Sequence, residues 1–223
     1  MIKVLNLGMV NVFILIGTKG NVLVDTGMAG NEKKIVTKLQ KLGIDPSSIK
    51  LMVLTHNHED HIGSVKALAE LTGAKIAMHK VDYELMTEGD DEVIGITSMG
   101  KIMMATAHKV AKNKPDSRFN IDIEIDSSYE LVDYGIEGKI LHTPGHTKGS
   151  LSILMENGEA IIADSVMAMM PWSKPGKPIV GYDLALTKKN ILMLMAMGAQ
   201  SFYLSHGKCY DKNEMNVAMN KLI

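Results

Sequence analysis

The chain has 223 residues, 46% of them hydrophobic, and a formal net charge of -1. It can bury the core of one large α/β domain spanning 1–223, and its charge gives no global pull toward nucleic acid or an anionic membrane surface. Arg118 is the only arginine and Cys209 the only cysteine, which removes bidentate arginine clusters and intrachain disulfides and fits a reducing, cytoplasmic setting.

Residues 10–16 and 22–24 are apolar runs around a turn at 17–21, the pattern of a hairpin. Asp25-Thr26-Gly27 ends it. Asn31 then caps a helix running to about Leu42, which Gly43 stops. A short buried strand is expected at 51–55, a helix at 62–71 ended by Gly73, and a strand at 75–78. Strands alternating with helices predict a sheet covered by helices. The second half is richer in strands, at 129–132, 138–143, 150–155 and 159–163, with a hairpin turn at Asn157-Gly158. A helix at 187–197, a strand at 202–204 and a terminal helix at 211–223 follow.

Between the halves, 81–120 opens acidic (Asp82, Glu84, Glu88, Asp90, Asp91, Glu92) and turns basic (Lys101, Lys109, Lys112, Lys114, Arg118). Ile96, Met99 and Met103 recur at helical spacing, so the segment reads as a helical insertion. Its apolar face suits packing on the domain or a homodimer contact; Ile96, Met99, Ile102 and Met103 can also line a lid over a substrate. The 18 methionines read as fillers of irregular core gaps. No apolar run reaches ~18 residues and no signal-peptide pattern opens the chain, so no membrane partner is expected.

The chemistry concentrates in Thr55-His56-Asn57-His58-Glu59-Asp60-His61. Imidazole nitrogens and carboxylate oxygens both bind zinc at ~2.0–2.2 Å. On an extended chain His56 and His58 point one way, and the bend into a helix turns Asp60 and His61 toward a second point nearby. A polar turn with incidental histidines does not explain three of the eight histidines clustering here. Each metal needs three or more ligands. His146 in Thr143-Pro-Gly-His-Thr-Lys-Gly149, Asp164 after an apolar strand, and His206 after the strand at 202–204 supply candidates at strand ends. Asp25 is a candidate to orient a ligand histidine from behind. His142 reads as structural or as an orienting neighbour, and His79 and His108 as surface or structural.

This set resembles the metallo-β-lactamase superfamily, whose H-x-H-x-D-H motif matches 56–61. The resemblance implies a four-layer αβ/βα sandwich with metals at one edge. It implies that His56, His58 and His146 hold a first divalent ion and Asp60, His61 and His206 a second, bridged by Asp164. Zinc is the expected metal, with iron or manganese also suited to such ligands. True β-lactamases generally lack the bridging aspartate, so Asp164 argues against antibiotic hydrolysis. The segment around His146 is similar to the glyoxalase II group, but only 17 residues follow His206, where long members place a glutathione-binding helical domain.

The implied reaction is attack by a hydroxide held between the metals on an ester-like bond, a thioester or lactone, of a small molecule. Asp60 would serve as ligand and proton carrier, with Trp172, Tyr182, Met99 and Met103 as substrate contacts. An iron persulfide dioxygenase would use His56, His146 and Asp164 alone, leaving Asp60, His61 and His206 without purpose. A nuclease would need a more basic surface. Flavin-linked di-iron proteins typically carry Glu where this chain has His58.

Overall fold

The computed structural model describes residues 1–88, 93–110, 119–170 and 172–223, without the side chains of 103 and 106–110. One sheet holds β1 (Ile2–Asn6), β2 (Asn11–Leu15), β3 (Asn21–Val24), β4 (Ile49–Leu54), β5 (Lys75–His79) and β7 (Ile123–Ile125), in that order. The first three strands pair antiparallel, and β3, β4, β5 and β7 run parallel. Parallel neighbours need crossovers. Here α1 (Glu32–Lys41) joins β3 to β4, and α2 (Glu59–Ile62) with α3 (Val65–Thr72) joins β4 to β5. The other sheet holds β8 (Ser128–Glu130), β9 (Gly138–His142), β10 (Leu151–Met155), β11 (Glu159–Ala163), β13 (Ser201–Leu204) and β14 (Cys209–Asp211), ordered β14-β13-β11-β10-β9-β8. Parallel β11 and β13 are joined through α6 (Leu184–Ala196), and α7 (Lys212–Met219) follows β14.

Strand periodicity sets the layering, because alternate side chains face opposite ways. Met52 and Leu54 of β4 pack with Ile35, Leu39 and Leu68 of the outer helices, while Leu51 and Val53 join Ile153 and Ile161 between the sheets. Ala160 and Ile162 of β11 pack outward with Ile191 and Leu194 of α6 and Met215 of α7. The order is helix, sheet, sheet, helix, the αβ/βα sandwich expected. Among the described residues no helix is long and apolar enough to cross a membrane.

Several local expectations need correction. Asn31 stands at the N-cap of α1, but its side chain makes no capping bond; its N–H donates to Ser64 Oγ at 2.9 Å. The helix expected at 62–71 is two, α2 and α3, broken around Gly63 and Ser64. A Cβ on Gly63 would lie 2.2 Å from Ala29 N, so glycine lets the loop after β3 close onto the motif helix. α6 begins earlier than expected because the Asp183 side chain accepts from the Ala185 and Leu186 N–H groups.

The insertion contains α4 (Lys80–Glu88) and α5 (Ser98–Val110), but also β6 (Ile94–Gly95), which pairs antiparallel with β12 (Val180–Gly181). Ile96 is not on a helix; its N–H donates to Ile179 O at 2.9 Å. β6 and β12 are too short to show a period, so the ribbon was not legible. Asp90, Asp91, Glu92, Lys112, Lys114, Arg118 and the side chains of Met103, His108 and Lys109 lie outside the described residues.

Candidate metal centre

The strand ends that carry the candidate ligands meet at one edge of the sandwich. Asp25 follows β3, the 56–61 motif follows β4, His146 follows β9, Asp164 follows β11 and His206 follows β13. Two backbone hydrogen bonds lock the sheets together there, Leu151 N to Thr55 O and Asn11 N to Ser205 O, both 2.8 Å. The Asn11 side chain also donates to Leu204 O (3.1 Å) and Gly207 O (2.7 Å), gripping both sides of His206. Sequence reading missed Asn11, since nothing local separates it from any strand asparagine.

His56, His58, His146 and Asp164 each bring one ligand atom within 4.8 Å of the others, and Asp60, His61 and His206 form a second such group. Asp164 faces both. Its Oδ2 lies 3.9 Å from His56 Nε2, 3.8 Å from His146 Nε2, 3.4 Å from His61 Nε2 and 3.3 Å from His206 Nε2. His58 Nδ1 is 3.1 Å from His146 Nε2, and Asp60 Oδ2 is 3.1 Å from His206 Nε2.

The far ring nitrogens are anchored. His146 Nδ1 donates to Val180 O (3.1 Å) and His206 Nδ1 to Met9 O (2.8 Å); a carbonyl accepts only, so Nε2 is the atom each presents to the cluster. His61 Nδ1 lies 2.7 Å from Asp25 Oδ2. Thr55 Oγ1 donates to the same Oδ2 at 2.9 Å and accepts from His56 Nδ1 at 3.0 Å. Asp25 Oδ1 accepts the Thr55 N–H at 2.8 Å. One buried carboxylate thus orients two candidate ligands. Asp25 (φ 64°) and Ala163 (φ 46°) are the non-glycine residues with positive φ among those described. Such backbone costs about 1–3 kcal/mol and persists where surrounding bonds over-determine it; both residues flank the cluster.

The metallo-beta-lactamase superfamily model Lactamase_B matches residues 5–163. The chain belongs to the metallo-β-lactamase superfamily. The superfamily match reaches His146 and stops one residue short of Asp164, so the remaining two donors are placed by the structure. A probable metallo-hydrolase of Methanocaldococcus jannaschii is 27% identical over 212 residues, covering 93% of this chain and 92% of that protein. The exodeoxyribonuclease WalJ of Streptococcus pneumoniae is 29% identical over 114 residues, 51% of this chain and 39% of WalJ. Among solved structures, the archaeal superfamily protein ST1585 from Sulfolobus tokodaii superposes with a TM-score of 0.68 at 17% identity, over 98% of this chain and 84% of that one; it shares the fold.

The donor chemistry fits the divalent metal that the superfamily implies. His56 Nε2, His61 Nε2 and Asp164 Oδ1 are buried and make no hydrogen bond. A buried polar atom left unsatisfied costs about 1–3 kcal/mol, and here ring nitrogens from both groups converge on one carboxylate.

The electrostatics divide the two groups. Burial, with neighbouring His61, His58 and His146, pushes His56 well below the usual imidazole range, and burial with His58 lowers His146 to about 3. Burial also works against charge on His61, but the Asp164 and Asp25 carboxylates outweigh it and raise His61 well above. For His206, Asp164 and Asp60 overcome burial and lift the ring to about 10. Burial pushes Asp60 up, yet the His206 hydrogen bond and the His61 charge bring it to about 2. Asp164 is held well below its usual value, as His61 and His206 outweigh burial.

At neutral pH the metal-free protein therefore carries His61 and His206 protonated, and a cation must displace those protons. Loading at pH 7 is expected to release about two protons per chain. Affinity for the second group should rise with pH up to about 10. Calorimetric titration in buffers of different ionisation enthalpy reads this directly; release near zero would contradict the assignment.

The other candidates fall outside the donor groups. His79 and His142 stack with centroids 3.8 Å apart. His79 is buried rather than on the surface, its Nε2 on Asp126 O and its Nδ1 accepting from Val81 N. Tyr182 sits on the His146 loop, its N–H reaching Gly145 O and His146 O, with Lys148 Nζ 5.3 Å from its ring centroid. Trp172 and Met99 are exposed, on the loop after Asp164 and on α5. Asp82, one of the acidic residues that open the insertion, is wholly buried.

Proposed function

We propose that this metallo-hydrolase holds two divalent ions, zinc by preference, and cleaves an ester-like bond, a thioester or lactone, in a small molecule, as glyoxalase II-like enzymes and lactonases do. The observation that carries this is Asp164, whose Oδ2 faces both donor groups. His56, His58 and His146 would hold one ion and Asp60, His61 and His206 the other, with Asp164 shared. When bound, such a pair supplies an acidified water and polarises the scissile carbonyl.

The chain's own residues do the rest. Asp25 and the carbonyls of Val180 and Met9 fix the imidazole orientations. Asp60 is ionised, and its side chain is 31% exposed against 3% for Asp164, so it is the carboxylate placed to accept a proton and pass it to the leaving group. Met9, Met28, Met169 and Met170 are exposed on the loops beside His206, Gly63, Asp164 and Trp172. With Trp172, Tyr182 and Met99, also exposed, they would give an apolar rim suited to a small uncharged substrate in the cytoplasm, with no nucleic-acid or membrane partner.

The WalJ similarity favours a second reading, a nuclease. The apolar rim and the single arginine weigh against it, because a phosphate backbone is held chiefly by cationic contacts. Elemental analysis of natively purified protein, followed by a thioester, lactone and DNA panel, separates them. Near two zinc per chain with thioester or lactone turnover is expected. DNA cleavage without ester turnover would overturn the reading, as would near one iron with oxygen consumption on persulfides.

A further inference from the structure

Asp82 lies on α4, the first helix of the insertion, and has no exposed surface. A carboxylate is tolerated inside a protein only when hydrogen bonds replace its hydration. Its Oδ2 accepts from Thr147 Oγ1 at 2.7 Å and from Asn57 N at 3.2 Å, and its Oδ1 accepts from Gly149 N at 2.6 Å. Asn57 sits between His56 and His58, and Thr147 follows His146. One carboxylate therefore joins the two loops that carry the first donor group. The approach is close enough that a Cβ on Gly149 would lie 2.6 Å from the Asp82 carboxyl carbon.

The insertion grips His146 from a second side. His146 Nδ1 donates to Val180 O, and Val180 lies on β12, which pairs with β6 of the insertion. The second donor group is held differently: His61 by Asp25, and His206 by Met9 O and the Asn11 side chain that spans its neighbours.

We propose that Asp82 is a positioning residue for the first donor group, setting the spacing between the His56–His58 loop and the His146 loop and so the affinity of the first ion. The insertion then acts as a clamp on one half of the centre. This rests on the two-ion reading above.

Asp82→Asn tests it. The amide keeps the shape but replaces one acceptor with a donor. If its oxygen serves Gly149 N, its NH2 confronts Asn57 N–H; if turned, the NH2 confronts Gly149 N–H. Either way a backbone donor loses its partner, whereas the Thr147 hydroxyl can rotate.

Metal-free wild type and D82N are titrated with cobalt(II), followed by visible absorption, and with zinc against a competing chelator. His146→Ala and His206→Ala assign the two binding steps. D82N is expected to weaken the first step by about 10–100-fold, as loss of an outer partner does, and to leave the second within about threefold. Thr147→Val should shift the same step and Thr147→Ser restore it, which keeps the test open if D82N fails to fold. Equal weakening of both steps, or of neither, overturns the role of Asp82. A wild type that binds only one ion overturns the two-ion reading instead.

Discussion

Replacing Asp164 with asparagine is expected to lower turnover by about 10³-fold, or about 4 kcal/mol in barrier, while leaving a folded protein. The carboxylate is 3.3–3.9 Å from four imidazole nitrogens drawn from both donor groups. An amide of the same size occupies the place but brings no charge, and inside a protein that charge is weakly screened. Losing it removes the group that the two-ion proposal has both cations share and the field that keeps His61 and His206 poised. The fold does not depend on it, because the three apolar clusters that separate the layers do not include Asp164. Circular dichroism, metal content and kcat on the identified substrate check this together. A variant with two ions per chain and turnover within tenfold of wild type would remove Asp164 from the centre.

Stripping the metal is expected to lower the melting temperature by roughly 10 °C. An ion that binds the folded chain at a thousandfold excess over its Kd stabilises it by about 4.1 kcal/mol, and a domain of this size gains about 2–4 °C per kcal/mol. The sign follows from the site. Without a cation, His56 Nε2, His61 Nε2 and Asp164 Oδ1 stay buried without hydrogen bonds. A cation satisfies these atoms only in the folded chain, so the metal-free protein is the weaker one. The carboxylates that raise His61 and His206 keep both rings protonated in the folded metal-free chain, which offsets part of that loss. Scanning calorimetry with and without chelator, followed by re-addition of zinc, gives the answer; a melting temperature indifferent to metal would mean that the cluster binds none.

Much of this was legible before any coordinates. The 56–61 motif is local, so residue type and spacing alone nominate its four donors. His146, Asp164 and His206 were found because each follows an apolar strand, and strand ends collect at the edges of layered α/β folds. The four layers were implied by the superfamily resemblance, while the element pattern alone predicts a sheet covered by helices; the structure shows β4 and β11 alternating between two apolar surroundings. β6, β12 and β14 were not, since strands of two or three residues are defined by a partner and not by a pattern.

The sequence by itself determined the superfamily pattern, the donor types and the end of the sandwich where they gather, because these follow from periodicity and side-chain chemistry within short segments. Only the tertiary structure decided that one oxygen of Asp164 faces both donor groups, that Asn11 and the carbonyls of Met9 and Val180 aim the histidines, and that the buried Asp82 carboxylate bonds the loops carrying His56, His58 and His146. Those relations join residues 25 to 197 positions apart, and such contacts exist only once two sheets and an insertion have packed.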